Sequence, residues 1–289
     1  MSHARLAGQF RLTVHRADGT LRLITPWCDN LVTDTGLNRI GLGAFLTHCY
    51  VGTGSVPPPA ATDNGLVSQV ASTTQILAQS AWASNAAPHY GYASVTYKFA
   101  VATGNLAEVG VGWSGGLFAR ALLVDGNGDP TVITVLPEES LGVTYLLRNY
   151  APAADENFSA VIGGVTHACT ARAALVTSGS TSNGWGVTGG EVTAGEITAY
   201  NGALGAVTSA PGGTTATITG GTAAYVSNSN ERALSGNWTE TEGNLAGGIT
   251  ALLLRTNGMG AYQIALDPPI AKTDMASLLV AFKVAWGRP

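Results

Sequence analysis

Residues 104–124, GNLAEVGVGWSGGLFARALLV, decide the fold of this chain. They contain Gly112-Trp113-Ser114-Gly115-Gly116, a match to G-x-S-x-G, the strand-to-helix elbow that presents the nucleophile of many serine hydrolases. They also hold the first copy of an internal repeat. Gly104-Asn105-Leu106-Ala107 returns as Gly243-Asn244-Leu245-Ala246. Gly115-Gly116-Leu117 and Ala121-Leu122-Leu123-Val124 return as Gly247-Gly248-Ile249 and Ala251-Leu252-Leu253-Leu254. Asn127-Gly128 matches Asn257-Gly258, and Leu136 matches Leu266, at the same offset. Repeats of this kind mark a unit used twice. Residues Glu108 to Ser114 separate GNLA from the glycine pair in the first copy, and nothing separates them in the second. The serine therefore sits in an insertion within a β module. An elbow needs a helix after the serine, whereas LFARALLV runs as a strand into the turn Asp125-Gly126-Asn127-Gly128. The order Ser114, Asp125, His167 imitates a hydrolase triad. The chain nevertheless lacks the alternation of strands with long amphipathic helices that a hydrolase fold of this kind requires.

Working outward, each copy closes on an alternating strand. LGVTYLL carries Leu141, Val143, Tyr145 and Leu147 on one face; LLVAFKVAWGR carries Leu278, Val280, Phe282, Val284 and Trp286. Residues 8–25 alternate on both sides of Asp18-Gly19, a hairpin signal. Thr33 or Asp34 caps a short helix holding Leu37 and Ile40, which Gly41 and Gly43 keep short. Leu66, Val67 and Val70 fit a further short helix or an extended piece. Residues 177–230 are rich in Gly, Thr, Ala and Ser, but recurring Val192, Ile197, Tyr200 and Ile218 indicate short strands with tight turns. The expected fold is all-β: two related β-sandwich-like modules from an internal duplication, with an N-terminal β-hairpin and one or two short helices. Residues 1–152 hold the hairpin, helix and first module; residues 153–289 hold the Gly/Thr-rich β region and the second module.

Charged residues make up 11% of the 289, against roughly 25% in an ordinary soluble domain. The lysines are Lys98, Lys272 and Lys283, and the net charge is −4. A surface this poor in charge points to cover by copies of itself or by neighbours. No basic stripe exists, which argues against nucleic acid as a partner. No apolar run is long enough for a membrane span. The N-terminus lacks a signal-peptide core, so synthesis in a reducing cytoplasm is expected. Cys28, Cys49 and Cys169 form no C-x-x-C and read as buried free thiols. His167 and Cys169 share a strand face but are too few for structural zinc. The pairs Glu138-Glu139 and Asp155-Glu156 are neighbours whose side chains diverge on extended chain, so they read as solvated loops. No phosphate-binding glycine motif appears, and no cofactor or metal is expected. Trp82, Trp113, Trp185 and Trp238 lie near glycines, asparagines and serines. Exposed indoles stack on sugar rings. Trp185, in SNGWGVTGG, is the leading candidate for a ligand-facing residue, with Trp113 and Trp238 beside it. The competing reading for Trp185 is a ring packed over a glycine bend. Trp27 and Trp286 are read as core.

Three segments carry a family resemblance. WCDNLVTDTGLNRIG (27–41) resembles the NLITDAGLDRLG-type segment of tail proteins of tailed bacteriophages. YVGTGSVPPPAATDNGLVSQV (50–70) resembles their VGTGTTAPSATDTALAAEV segment. YQIALDPPIAKTDMASLLVAFKVAWGR (262–288) is similar to the PPIPKT…WGR ending of tail fibre and baseplate proteins of long-tailed phages. The resemblance implies a non-enzymatic virion component at the tail tip, made and assembled in the host cytoplasm. It implies a homo-oligomer, typically a trimer, that contacts other tail or baseplate proteins and a host surface glycan or protein. By analogy the N-terminal hairpin and helix attach to the tail, and the C-terminal module meets receptor or neighbours. A purely architectural connector or capsid decoration is the alternative, and a serine hydrolase using Ser114 the remote one.

Overall fold

Strict alternation commits one face of a strand to a core, and in this chain alternation becomes strand nearly everywhere. The computed structural model describes residues 3–100, 102–177, 184–186 and 189–289. The early elements are β1 (His3–His15), β2 (Leu21–Ile24), β3 (Cys28–Asp29), β4 (Leu31–Val32), α1 (Asp34–Ile40), β5 (His48–Gly52), β6 (Gln69–Thr73), β7 (Ile76–Ser84) and β8 (Tyr90–Phe99). Next come β9 (Gly104–Leu106), β10 (Glu108–Trp113), β11 (Gly116–Leu122), β12 (Ile133–Val135), β13 (Ser140–Tyr150), β14 (Glu156–Ile162) and β15 (Val165–Ala174). The last are β16 (Ala194–Tyr200), β17 (Thr215–Thr219), β18 (Gly221–Thr222), β19 (Glu231–Trp238), β20 (Ile249–Thr256), β21 (Ala261–Ile270) and β22 (Leu278–Gly287). The fold is all-β, with several sheets and, among the described residues, one short helix.

The chain divides into two compact units. The first holds Leu6–Ala81, Ala93–Arg148 and Arg288–Pro289; the second holds Met1–Arg5, Trp82–Tyr92 and Asn149–Gly287. In the first unit, an antiparallel sheet runs β4-β11-β10-β5-β6. Strands β1, β13, β8 and β7 are neighbours in that order in a second sheet. Aromatic rings join the two layers. Phe118 on β11 meets Tyr145 on β13 edge-on at 6.4 Å, and Tyr145 packs on Phe10 of β1 at 4.6 Å. The β1–β2 hairpin forms across Val14 and Leu23, with Gly19 at its turn. Thr33 caps α1, its hydroxyl accepting the Gly36 N–H at 2.9 Å.

In the second unit, a sheet runs β14-β15-β21-β20-β16-β17. The core between it and β19 and β22 contains Ile197, Trp238, Leu252, Leu254, Leu266 and Val280. The start of β1 runs parallel to the end of β22, His3 opposite Ala285.

The two copies of the repeat fold differently around their Asn-Gly turns. In the second, β20 and β21 form a long hairpin about Asn257-Gly258. In the first, Asp125 Oδ1 accepts the N–H groups of Asn127 and Asp129, and only a bridge between Val124 and Pro130 follows. Strand β12 then pairs with β9. The cause is the insertion. Glu108–Ser114 supplies β10, which takes a place beside β11 of the sort that β21 holds beside β20.

Other expectations are settled locally. Val70 lies in β6, so the extended reading of that stretch holds and the helical one does not. The Gly/Thr-rich region gives three short strands, β16 to β18, while residues 178–183, 187 and 188 lie outside the described residues. Trp286 is core, but Trp27 is only half-buried, with the Arg11 guanidinium over its ring at 4.5 Å.

Gly36 tests how α1 is seated. A Cβ there would lie 2.3 Å from the Phe118 carbonyl oxygen, which is backbone and cannot swing away. Gly36→Ala is expected to destabilise the protein by about 1–3 kcal/mol, as overpacking does. The measurement is the midpoint of denaturant unfolding, at unchanged slope.

Candidate functional site

The first unit is organised around a buried cluster of charges. Glu108 on β10 and Arg120 on β11 are both wholly buried. Arg120 Nε donates to Glu108 Oε2 at 2.9 Å. Its remaining nitrogens donate to Asp63 Oδ2 at 2.9 Å and to the Pro57 carbonyl at 3.0 Å. Glu108 also accepts the N–H groups of Gly54, Val67 and Ser68 at 3.2, 3.1 and 2.7 Å. The Gly/Pro-rich segment between β5 and β6 has no secondary structure of its own. These bonds hold it against the sheet.

The residues behind the resemblance meet in this unit. The Asp34 N–H donates to the Ala61 carbonyl at 2.7 Å, joining the first segment to the second. Arg288 Nε donates to the Val32 carbonyl at 2.6 Å, and its guanidinium pairs with Asp34, joining the third segment to the first. In the second unit, Lys272 of the PPIAKT stretch is buried, and its Nζ donates to Asn244 Oδ1 at 2.9 Å and to the Thr273 carbonyl at 3.1 Å. Asn244 belongs to the second GNLA. In the first GNLA, Asn105 Oδ1 accepts the Thr134 hydroxyl at 2.8 Å.

Ser114 and Gly115 form the turn between β10 and β11, with Gly115 at φ +83°. A strand follows the serine, so the elbow geometry is absent. The Asp125 carboxylate is engaged by its own turn. His167 is buried, its Nδ1 2.6 Å from the Pro268 carbonyl oxygen.

Beside this turn lies a groove of about 340 Å³, lined by Tyr50, Asn64, Gln69, Gly115, Gly116 and Leu117 among others. Trp113 borders it. The Tyr50 hydroxyl donates to the Trp113 carbonyl at 2.6 Å. The Trp113 ring packs over Gly116 and takes the Arg39 guanidinium at 5.1 Å. It is half-buried, which leaves part of the residue in contact with solvent. The lining offers amides, a phenol and backbone, without an ionised group. Such a surface suits a neutral, hydroxyl-rich ligand better than an ion.

Trp113 is thus the one predicted site tryptophan that retains exposure. Trp185 and Trp238 are fully buried, which corrects their reading as ligand-facing residues. Trp185 Nε1 donates to the Ala174 carbonyl at 2.8 Å, and the ring lies over Gly260 and 5.9 Å from Tyr262. Its backbone is so close to Gly91 that a Cβ there would meet the Trp185 oxygen at 1.8 Å. Trp238 Nε1 donates to the Ala216 carbonyl at 3.2 Å inside the second core. Large rings that find a partner for their one polar atom stay inside.

The three thiols are buried and free, and burial raises each above its ordinary pKa. The paired acids are not all solvated. Glu139 is buried and pairs with Arg22, whereas Asp155 is exposed as expected and makes two bonds to Arg172. No group of three or more metal-ligating side chains occurs among the described residues. Glu108 and Arg120 belong to no motif in the sequence. The available signal was one carboxylate and one guanidinium inside apolar strands, in a chain with very few charges.

The chain matches no family model, no curated protein and no solved structure.

Glu108→Ala leaves Arg120 buried without its main partner, and an expected loss of about 3–5 kcal/mol follows. Limited proteolysis should then cut between Thr53 and Ser68 under conditions that leave the wild type intact. Glu139 gives a pH test. The Arg22 hydrogen bonds, then the Leu136 N–H, hold its carboxyl below the ordinary value of 4.5. The stabilisation is therefore present above the ordinary glutamate range and lost as pH falls through the lower folded value. Thermal midpoints between pH 5 and pH 3, as a working range of about two units, should fall less steeply in Glu139→Gln than in the wild type.

Proposed function

We propose that this chain is a structural subunit of a bacteriophage tail tip, a tail fibre or baseplate component that contributes to host-receptor binding. The observation that carries the reading is the convergence of the three segments. NLVTDTGL, the VGTG…ATD loop and the closing WGR are bonded to one another through Asp34, Ala61, Val32 and Arg288. The resemblance therefore falls on residues that build the unit. Similarity in such residues supports a shared architecture more than similarity in exposed loops would.

Receptor contact is assigned to the groove beside Trp113, in the first unit, in place of the C-terminal module to which the analogy points. Its neutral hydrogen-bonding lining favours a glycan among the host ligands. Single contacts of this kind are weak, and repetition across an oligomer would raise avidity by roughly 10²–10⁴. The burial of Trp185 and Trp238 favours a second reading, an architectural virion subunit without a host ligand.

An antibody raised against the purified chain tests the assignment by gold labelling of phage particles from the source bacterium. Label at the tail tip is the expected result; particles that carry none would overturn the reading. Binding of the fluorescent protein to host cells then separates the two roles. Asn64→Ala with Gln69→Ala should weaken cell binding about tenfold, from two lost hydrogen bonds, with an unchanged thermal midpoint. Tail-tip label without any cell binding would establish the architectural role.

A further inference from the structure

Asn-Gly pairs lose the side-chain amide spontaneously, because a glycine N–H can reach the neighbouring carboxamide carbon with no side chain in the way. The pair occurs five times in this chain, at Asn64-Gly65, Asn127-Gly128, Asn183-Gly184, Asn201-Gly202 and Asn257-Gly258. Asn183 lies outside the described residues. Among the other four, we propose that Asn64, in the lining of the Trp113 groove, is a self-modification site. The folded chain converts it to aspartate and isoaspartate, and the groove acquires a carboxylate.

Hydrogen bonds separate the four. The reaction needs a glycine N–H free to lose its proton and a carboxamide free to turn toward it, so a bond to either group raises the barrier. Asn201 is tied at both ends of its amide. Its Oδ1 accepts the Thr214 N–H at 2.8 Å, and its Nδ2 donates to the Ala246 carbonyl at 3.0 Å. Its glycine is also crowded, since a Cβ on Gly202 would lie 2.3 Å from the Gly212 oxygen. Asn257 Nδ2 donates to the Thr193 hydroxyl at 2.6 Å. At Asn127 the nucleophile is held, because the Gly128 N–H donates to the Asp125 carbonyl at 3.1 Å. Asn64 has none of these restraints. Neither its side chain nor the Gly65 N–H has a hydrogen-bond partner among the described residues. Both residues are exposed, and nothing lies within 4 Å of a Cβ placed on Gly65, which leaves room for a ring. The buried charge network explains the gap. Asp63 is held by Arg120 and the Ala60 N–H, and Val67 and Ser68 are held by Glu108. Asn64 and Gly65 fall between these anchors.

The Gly65 nitrogen, once its proton has passed to hydroxide, attacks Asn64 Cγ. The Cγ–Nδ2 bond breaks, and the nitrogen leaves as ammonia with a proton taken from water. A succinimide ring remains, made of Asn64 Cα, Cβ, Cγ and carbonyl carbon with the Gly65 nitrogen. Water then opens it. Cleavage at Cγ gives aspartate; cleavage at the Asn64 carbonyl carbon gives isoaspartate, whose chain runs through Cβ and Cγ. The sum is asparagine plus water to aspartate plus ammonia, with nothing oxidised or reduced. Either product brings an ionised group to a lining that has none, and isoaspartate lengthens the span between the anchors by a methylene. The inference stands on this span alone and does not depend on the tail-tip assignment.

The test is peptide mapping by mass spectrometry on the full chain, held folded at neutral and at mildly alkaline pH. Asn64 should convert about tenfold faster than Asn127, Asn201 and Asn257, the rate equivalent of one hydrogen bond that each of the others must break. The rate should rise with hydroxide concentration, and isoaspartate should accompany aspartate. In guanidinium chloride the ranking should vanish and the four sites convert at similar rates. Gly65→Ala has room for its methyl group and requires no positive φ, so its thermal midpoint should be unchanged. Asn64 should then stay intact over the interval that converts the wild type. Conversion led by Asn127, Asn201 or Asn257 in the folded chain, a ranking that persists in denaturant, or equal conversion of Asn64 in Gly65→Ala and wild type would each overturn the proposal. None of these outcomes bears on gold labelling of particles, so the two readings fail separately.

Discussion

The Glu108–Arg120 pair is the constraint on which the first unit depends. A long Gly/Pro-rich connection between two strands loses conformational entropy when ordered and returns little of it through its own contacts. Glu108 offsets that cost by accepting three of the connection's N–H groups, while Arg120 reaches Asp63 and the Pro57 carbonyl. Inside the protein such a network is strong when complete and costly when broken. Its origin is the insertion that distinguishes the first repeat from the second. That insertion brings β10, and β10 brings the carboxylate. The residues that imitate a nucleophile elbow therefore belong to the β10–β11 hairpin that carries this pair.

A second set of bonds builds outward from this centre. Thr33 uses one hydroxyl twice, accepting the Gly36 N–H to start α1 and donating to the Leu117 carbonyl on β11. Asp34 meets both the connection and Arg288. Residues far apart in the chain thus share one neighbourhood. Neither unit is a continuous stretch of chain, since Trp82–Tyr92 belongs with residues after Arg148. Contacts this distant in sequence slow folding, because loops must close before they are rewarded.

Much of the fold was legible because it rests on local periodicity. The alternation in LGVTYLL and LLVAFKVAW became β13 and β22, Asp18-Gly19 became a hairpin turn, and Thr33 became a cap. What stayed hidden is non-local. Nothing in SNGWGVTGG tells whether Trp185 faces water or the Gly91 backbone, because Gly91 is remote in sequence. Nothing near Glu108 announces that its partner is Arg120 across a hairpin and that both are sealed from solvent. The groove at Trp113 is likewise assembled from β5, the connection and the β10–β11 turn.

The seclusion of Glu108 and Arg120 has an environmental consequence. Dissolved ions weaken attractions between charges that water can reach, over distances of about 10 Å at 0.1 M. Here the pair is shut away from them, at 0% side-chain exposure for both residues. The Glu108–Arg120 network is consequently expected to hold the connection between β5 and β6 at low and at high salt alike.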